Sequence, residues 1–215
     1  MTHKLGAADN TGLNNTTFEE LYYGKKVIVI GPSRNVFKNL RDNKVNLDEY
    51  DLVIKLNHHW INIKEEEFKR TDIVYHGLNI NKTKLKQINA MAKENFLVVA
   101  RKVSKKKLNN YILIRSSGVE CLKISEDFLK STRRKLKSTP LIGTLCVLHV
   151  ASFEPASIDC YGLDFYKTSY FKVDGRRSMR NNSPISTNDG GIHSIRRQKR
   201  KFLKIIKKIP FINFF

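Results

Sequence analysis

Acidic residues are scarce in this chain: 20 Asp and Glu stand against 40 Lys and Arg, leaving a formal charge of +20. That deficit favours a polyanionic partner, whether nucleic acid, anionic lipid or a phosphorylated substrate, and says nothing of fold. Cysteine is also scarce. Cys121, Cys146 and Cys160 are an odd number, far apart and without metal-ligand spacing, and they fit buried free thiols in a reducing compartment. No stretch approaches the roughly 18 apolar residues of a membrane span, and the polar first 25 residues hold no apolar core for a signal peptide. These absences place the chain in the cytoplasm, with a peripheral position on the inner face of a membrane left open. The common nucleotide signatures are missing too. There is no G-x-G-x-x-G and no Walker A loop, and no Asp-x-Asp to carry a divalent metal on a nucleotide diphosphate. Neither a metal nor a resident cofactor is expected.

What is present is a rhythm of short apolar runs ending at turns. The 215 residues suffice for one domain with a real core. Strands are expected at Lys26–Ile30, 51–56, 71–75, 96–100 and 157–161, with a further one at 111–114. Helical spacing occurs over 34–41 and 82–94, and over the long apolar segment 141–153. Thr139 is placed to cap that last helix and Pro140 to occupy its first turn. Strands alternating with helices predict an α/β fold, a single Rossmann-like and mostly parallel sheet flanked by helices. The organisation expected is an unstructured 1–20, a binding domain over 21–171, a polar lid loop over 172–190, and a histidine turn with a basic helix over 191–215.

In such sheets the ligand lies outside the carboxyl ends of the strands, so the strand-end residues are the candidates. Gly31-Pro32-Ser33 follows the first strand, where free N–H groups can face an anion or simply make a tight turn. Asn57 closes the second strand with an amide that both donates and accepts. The neighbouring His58-His59 pair does not make a metal site, since adjacent strand residues point opposite ways. Gly143 and Thr144 are small enough for their helix to approach a ligand or a strand closely. Gly162 ends the 157–161 strand and delivers Asp164, Tyr166 and Tyr170 onto a loop. The phenols could donate to phosphate oxygens or merely pack at the sheet rim. His193, behind two glycines, suits a base near neutral pH or a surface position, while His149 reads as a core residue.

In this order the elements resemble the bacterial sialyltransferases that act on lipooligosaccharide and, more faintly, the sialylmotifs of animal enzymes. The likeness rests on Val27-Ile-Val-Ile-Gly31-Pro32-Ser33, on Asp51-Leu-Val-Ile-Lys-Leu-Asn57, and on Thr139-Pro-Leu-Ile-Gly143-Thr144. It continues through Gly162-Leu-Asp-Phe-Tyr166 with Tyr170, then Gly191-Ile-His193. The group carries an Asn just before the Gly-Pro-Ser turn, where this chain has Ile30. The resemblance implies a metal-independent, inverting glycosyltransferase that uses CMP-sialic acid. His193 would be the base and Tyr166 and Tyr170 would meet the leaving phosphate. Gly31, Pro32, Ser33, Asn57, Gly143, Thr144, Gly162 and Asp164 would line the donor site.

The acceptor implied is a glycan, free or lipid-linked. A donor carrying Kdo or a related nonulosonic acid fits the same reading, and a basic RNA-binding protein is the non-enzymatic alternative. The run from Arg196 to Lys208 has eight basic residues interleaved with apolar ones, and aromatics end the chain. It suits either an anionic membrane surface or a helix packed on the sheet. Self-association is left open by the sequence.

Overall fold

The computed structural model describes residues 17–57, 63, 65–78, 96–116, 118–165 and 194–215. Seven strands are described: β1 (Lys26–Ile30), β2 (Leu52–Leu56), β3 (Ile73–His76), β4 (Phe96–Val99), β5 (Cys121–Lys123), β6 (Ser157–Tyr161) and β7 (Ile212–Phe214). They form one sheet of order β5-β4-β3-β2-β1-β6-β7, and every pairing is parallel. The chain therefore winds outward from β1 to β5, then returns to the other side of β1 for β6 and β7. The expected Rossmann-like parallel sheet is what forms.

Parallel strands buried on both faces need near-continuous apolar runs, and β1 has one. Its alternate residues point to opposite faces. Val27 and Val29 join a core with Phe18, Leu145, Val147, Val150 and Phe202, whereas Ile28 and Ile30 join a second core with Val36, Leu40 and Tyr161. Ile30 is thus a core residue of one sheet face, which accounts for an apolar side chain at that position.

The helices are α1 (Phe18–Tyr22), α2 (Val36–Asp42), α3 (Lys105–Ser116), α4 (Glu126–Leu136), α5 (Ile142–Ala151) and α6 (Ile195–Ile206). Four sequence expectations change. Residues 17–22 are ordered into α1 by a capping box, in which the Thr17 hydroxyl accepts from the Glu20 N–H while the Glu20 carboxylate accepts from the Thr17 N–H. The 111–114 run is helical, not a strand, and lies within α3. Tyr111 and Ile114 are buried while Ile112 and Leu113 stay about half exposed, a spacing of three that a strand cannot produce.

Thr139 does not cap α5, whose N-cap is Leu141 with no side-chain cap bond. Finally, the aromatic chain end, which by sequence suits a membrane surface or a packed helix, forms an edge strand: Ile212–Phe214 pairs with β6. The Asp159 carboxylate welds this edge by accepting from the Asn213 amide at 2.7 Å and from the Tyr50 hydroxyl at 2.6 Å. Phe215 stacks on Tyr161 with ring centroids 4.6 Å apart. The basic helix keeps its inward stripe, with Phe202 and Ile206 buried. Among the described residues no helix is long and apolar enough to cross a membrane.

His149 is the core histidine expected. Its Nδ1 lies 2.8 Å from the Tyr75 hydroxyl, which lies 3.0 Å from the Tyr22 hydroxyl, and Phe18 and Phe128 meet its ring edge-on. Burial pushes the imidazole down from its ordinary 6.5 to about 3. The unfolded chain takes up that proton near pH 6.5, whereas the folded chain resists it until about pH 3. Stability is therefore fully present above 6.5 and declines as pH falls toward 3. His149→Phe, which keeps an aromatic ring in an aromatic shell, is expected to flatten this decline. Urea unfolding at pH 7 and pH 4 reads it, and an equal loss in both proteins would assign the acid sensitivity elsewhere.

Candidate functional site

The turn of the winding lies between β1 and β6, where an open parallel sheet leaves a crevice at its carboxyl edge. Gly31 follows β1 and Gly162 follows β6, and the Gly31 N–H donates to the Tyr161 carbonyl at 2.7 Å. The two glycines are pressed together along their backbones. A Cβ on Gly31 would sit 2.4 Å from the Gly162 carbonyl oxygen and 2.6 Å from Leu163 Cδ2. One on Gly162 would sit 2.5 Å from the Gly31 carbonyl oxygen and 2.8 Å from Val36 Cγ2. Gly162 also turns through φ +68°, the left-handed region.

The remaining turns converge on the same place. Asn57 follows β2 at φ +59°, its N–H donating to the Tyr75 carbonyl at 2.8 Å, with a half-buried side chain. Asn tolerates this left-handed geometry better than other residues with a Cβ. Gly143, in the first turn of α5, admits two leucines. A Cβ there would lie 2.7 Å from Leu163 Cδ2 and 3.0 Å from Leu56 Cδ1. The close approach expected of this helix is therefore made to the β6 and β2 strand ends. Leu163 touches the spaces of both Gly31 and Gly143 and is the hub of the arrangement, a role no sequence pattern marked. Pro32 is buried, as are Ser33 and Thr144, each 4% exposed, while Asp164 is half-buried.

Two further features belong to this edge. Lys55, one residue before Leu56, is fully buried. Its ammonium donates to the Phe68 and Lys69 carbonyls at 2.6 and 3.1 Å. Burial lowers it to about 7, against the opposing pull of the Asp72 carboxylate. It secures the 66–68 turn to β2, and nothing in the apolar strand pattern singled it out. Nearby, a cavity of about 280 Å³ opens beside the 139–140 turn, lined by Ala100 at the end of β4 and by Leu129, Lys130 and Arg133 of α4. Lys130 and Arg133 share its rim with the Glu126 carboxylate.

The fold is shared with solved sialyltransferases. A mammalian sialyltransferase in complex with Gal-beta-1-3GalNAc-ortho-nitrophenol superposes with a TM-score of 0.55 at 17% identity, over 92% of this chain and 71% of that one. CstII from Campylobacter jejuni, in complex with the substrate analogue CMP-3FNeuAc, gives 0.56 at 15% identity, over 88% of this chain and 81% of that one. The monofunctional alpha-2,3-sialyltransferase Cst-I from the same organism gives 0.54 at 15% identity, over 100% and 78%. No family model and no curated protein matches the sequence. At these identities the likeness is one of fold.

Of the predicted site residues, Gly31, Gly162 and Gly143 are brought together, with Asn57 next in chain to the Leu56 that meets them. Pro32, Ser33, Thr144 and Asp164 flank them in sequence. Tyr166, Tyr170, His193, the 172–190 segment, His58-His59 and the helix expected at 82–94 lie outside the described residues. Ser194, buried at the start of α6, is the described residue that follows His193.

Proposed function

We propose that this chain transfers a sialic acid from CMP-sialic acid to a glycan hydroxyl. The observation that carries the reading is the convergence of Gly31, Gly162 and Gly143 at the switch point of a sialyltransferase fold. The sequence resemblance implies a donor-site position for all three. Structures sharing this fold hold CMP, the analogue CMP-3FNeuAc, or a trisaccharide acceptor with CMP.

In the proposed reaction the acceptor oxygen attacks the anomeric carbon as His193 takes its proton. The bond from that carbon to the phosphate oxygen breaks, and CMP leaves with the electron pair. A single displacement inverts configuration. Tyr166 and Tyr170 donate hydrogen bonds where negative charge gathers on the departing phosphate. The turns at Gly31-Pro32-Ser33, Asn57, Gly143-Thr144 and Gly162 with Asp164 hold the nucleotide and its sugar. A monophosphate leaving group can be neutralised by protein donors, so the reaction is proposed to proceed without a metal.

Nucleotide selectivity tests this directly, because a ligand that binds only the native state must stabilise it. At 100 times its Kd the gain is about 2.7 kcal/mol. For a chain of this length that corresponds to a rise of roughly 5–11 °C in Tm. CMP is expected to produce it, and UMP and AMP to leave Tm unchanged. Equal responses to all three nucleotides, or none to any, would reject a cytidine pocket.

A further inference from the structure

The basic helix α6 carries one polar residue where its apolar stripe should run. Gln198 lies four residues before Phe202 and eight before Ile206, so all three share one helical face. Like Phe202, Gln198 is 0% exposed. A buried primary amide is tolerable only when its donors and acceptor are used, and here they are. Gln198 Oε1 accepts from the Leu141 N–H at 2.7 Å, while Nε2 donates to Ser138 Oγ and to the Thr139 carbonyl, each at 3.1 Å. Leu141 is the N-cap of α5 and offers no side-chain cap bond of its own. Gln198 thus supplies from another element the anchoring that Thr139 was expected to give from within the turn.

One helical turn further on, the same face holds a second site turn. Phe202 packs against Phe165, their centroids 5.7 Å apart, and Lys199 Nζ lies 6.0 Å from that ring. Phe165 sits at φ +57° at the end of the Gly162–Phe165 turn. The Gln198 backbone N–H donates to the Ser194 carbonyl at 2.8 Å, so the chain following His193 enters the fold at the foot of this brace.

We propose that Gln198 is a positioning residue that, with Phe202, fixes the turn before α5 and the turn after β6 in one geometry, so that the donor nucleotide meets a preformed site. The nucleotide part rests on the function proposed above; the brace itself does not. Gln198→Met keeps the length of the side chain and removes all three bonds. Amide hydrogen exchange over residues 138–145 is expected to quicken by at least about tenfold, with β1 unchanged. CMP binding is expected to weaken about tenfold, roughly the net worth of one hydrogen bond, and kcat to stay within about twofold, as expected when ground and transition states lose the same contact.

Tyr22→Phe serves as the control: it removes a different buried hydroxyl bond and should lower Tm without changing CMP affinity. The unsubstituted protein gives a test that needs no variant, since its Leu141 amide must exchange slowly although it precedes the helix. Fast exchange there, or unaltered exchange over 138–145 in Gln198→Met, overturns the proposal. If the unsubstituted protein ignores CMP, the nucleotide reading falls and the exchange data alone decide the brace.

Discussion

Replacing His193 with alanine is expected to lower sialyl transfer by roughly 10²–10⁴-fold, the span that general-base help contributes, while CMP affinity stays within about twofold. The two readouts separate because the proposed base acts on the acceptor hydroxyl and the nucleotide is held by other residues. A group used only as the acceptor oxygen attacks lowers kcat and kcat/KM together and leaves donor binding alone. Turnover of CMP-sialic acid, with CMP binding measured by calorimetry, checks both points. Near-normal turnover in the variant would place the base elsewhere, and a parallel loss of CMP affinity would make His193 a binding residue.

The strands that build the crevice were legible because their physics is local. Lys26-Val-Ile-Val-Ile30 has nowhere to go but a sheet covered on both sides, and its Val and Ile residues divide between the two cores as alternation requires. Once β1, β2 and β6 are found, Gly31, Asn57 and Gly162 follow as the residues at their carboxyl ends. The rule for parallel sheets then names them as candidates.

What was not legible depended on partners distant in sequence. The α4 segment has good local signals: the Ser125 hydroxyl accepts from the Phe128 N–H, acids fill the first turn and bases the last. Only Phe128, Leu129 and Leu136 are apolar in it, too few for helical periodicity to register. β5 is only three residues long, too short for alternation to register. Aromatic and apolar residues at the chain's end fit a bilayer surface as well as a sheet edge, and the edge strand shows only through its pairing with β6. Gln198 is a polar residue within a run of bases, a composition that fits a solvated helix. Its shared face with Phe202 and Ile206 was the one available hint, and its partners lie about sixty residues away.

Gly162→Ala is expected to destabilise the protein by about 2–5 kcal/mol, lowering Tm by roughly 4–20 °C for a chain of this length. Two costs combine. A residue with a Cβ at φ +68° gives up about 1–2 kcal/mol to the left-handed conformation. The added methyl group then meets the Gly31 carbonyl oxygen at 2.5 Å and Gly31 C at 3.1 Å. These are backbone atoms held by a strand in the middle of the sheet, so relief requires β1 and β6 to part, an overpacking cost of about 1–3 kcal/mol. Gly24 separates the two effects. It has nearly the same φ, +67°, with nothing within 4 Å of a Cβ, so Gly24→Ala should show the conformational cost alone. Gly31→Ala has the reciprocal clash with the Gly162 carbonyl oxygen, and once the strand ends have parted for one methyl group the second should add less. The double variant should therefore fall short of the sum of the singles. Urea unfolding of the four variants supplies every term. If Gly162→Ala loses no more stability than Gly24→Ala, the strand ends are not in contact, and the crevice between β1 and β6 lacks the rigid floor on which the proposed chemistry depends.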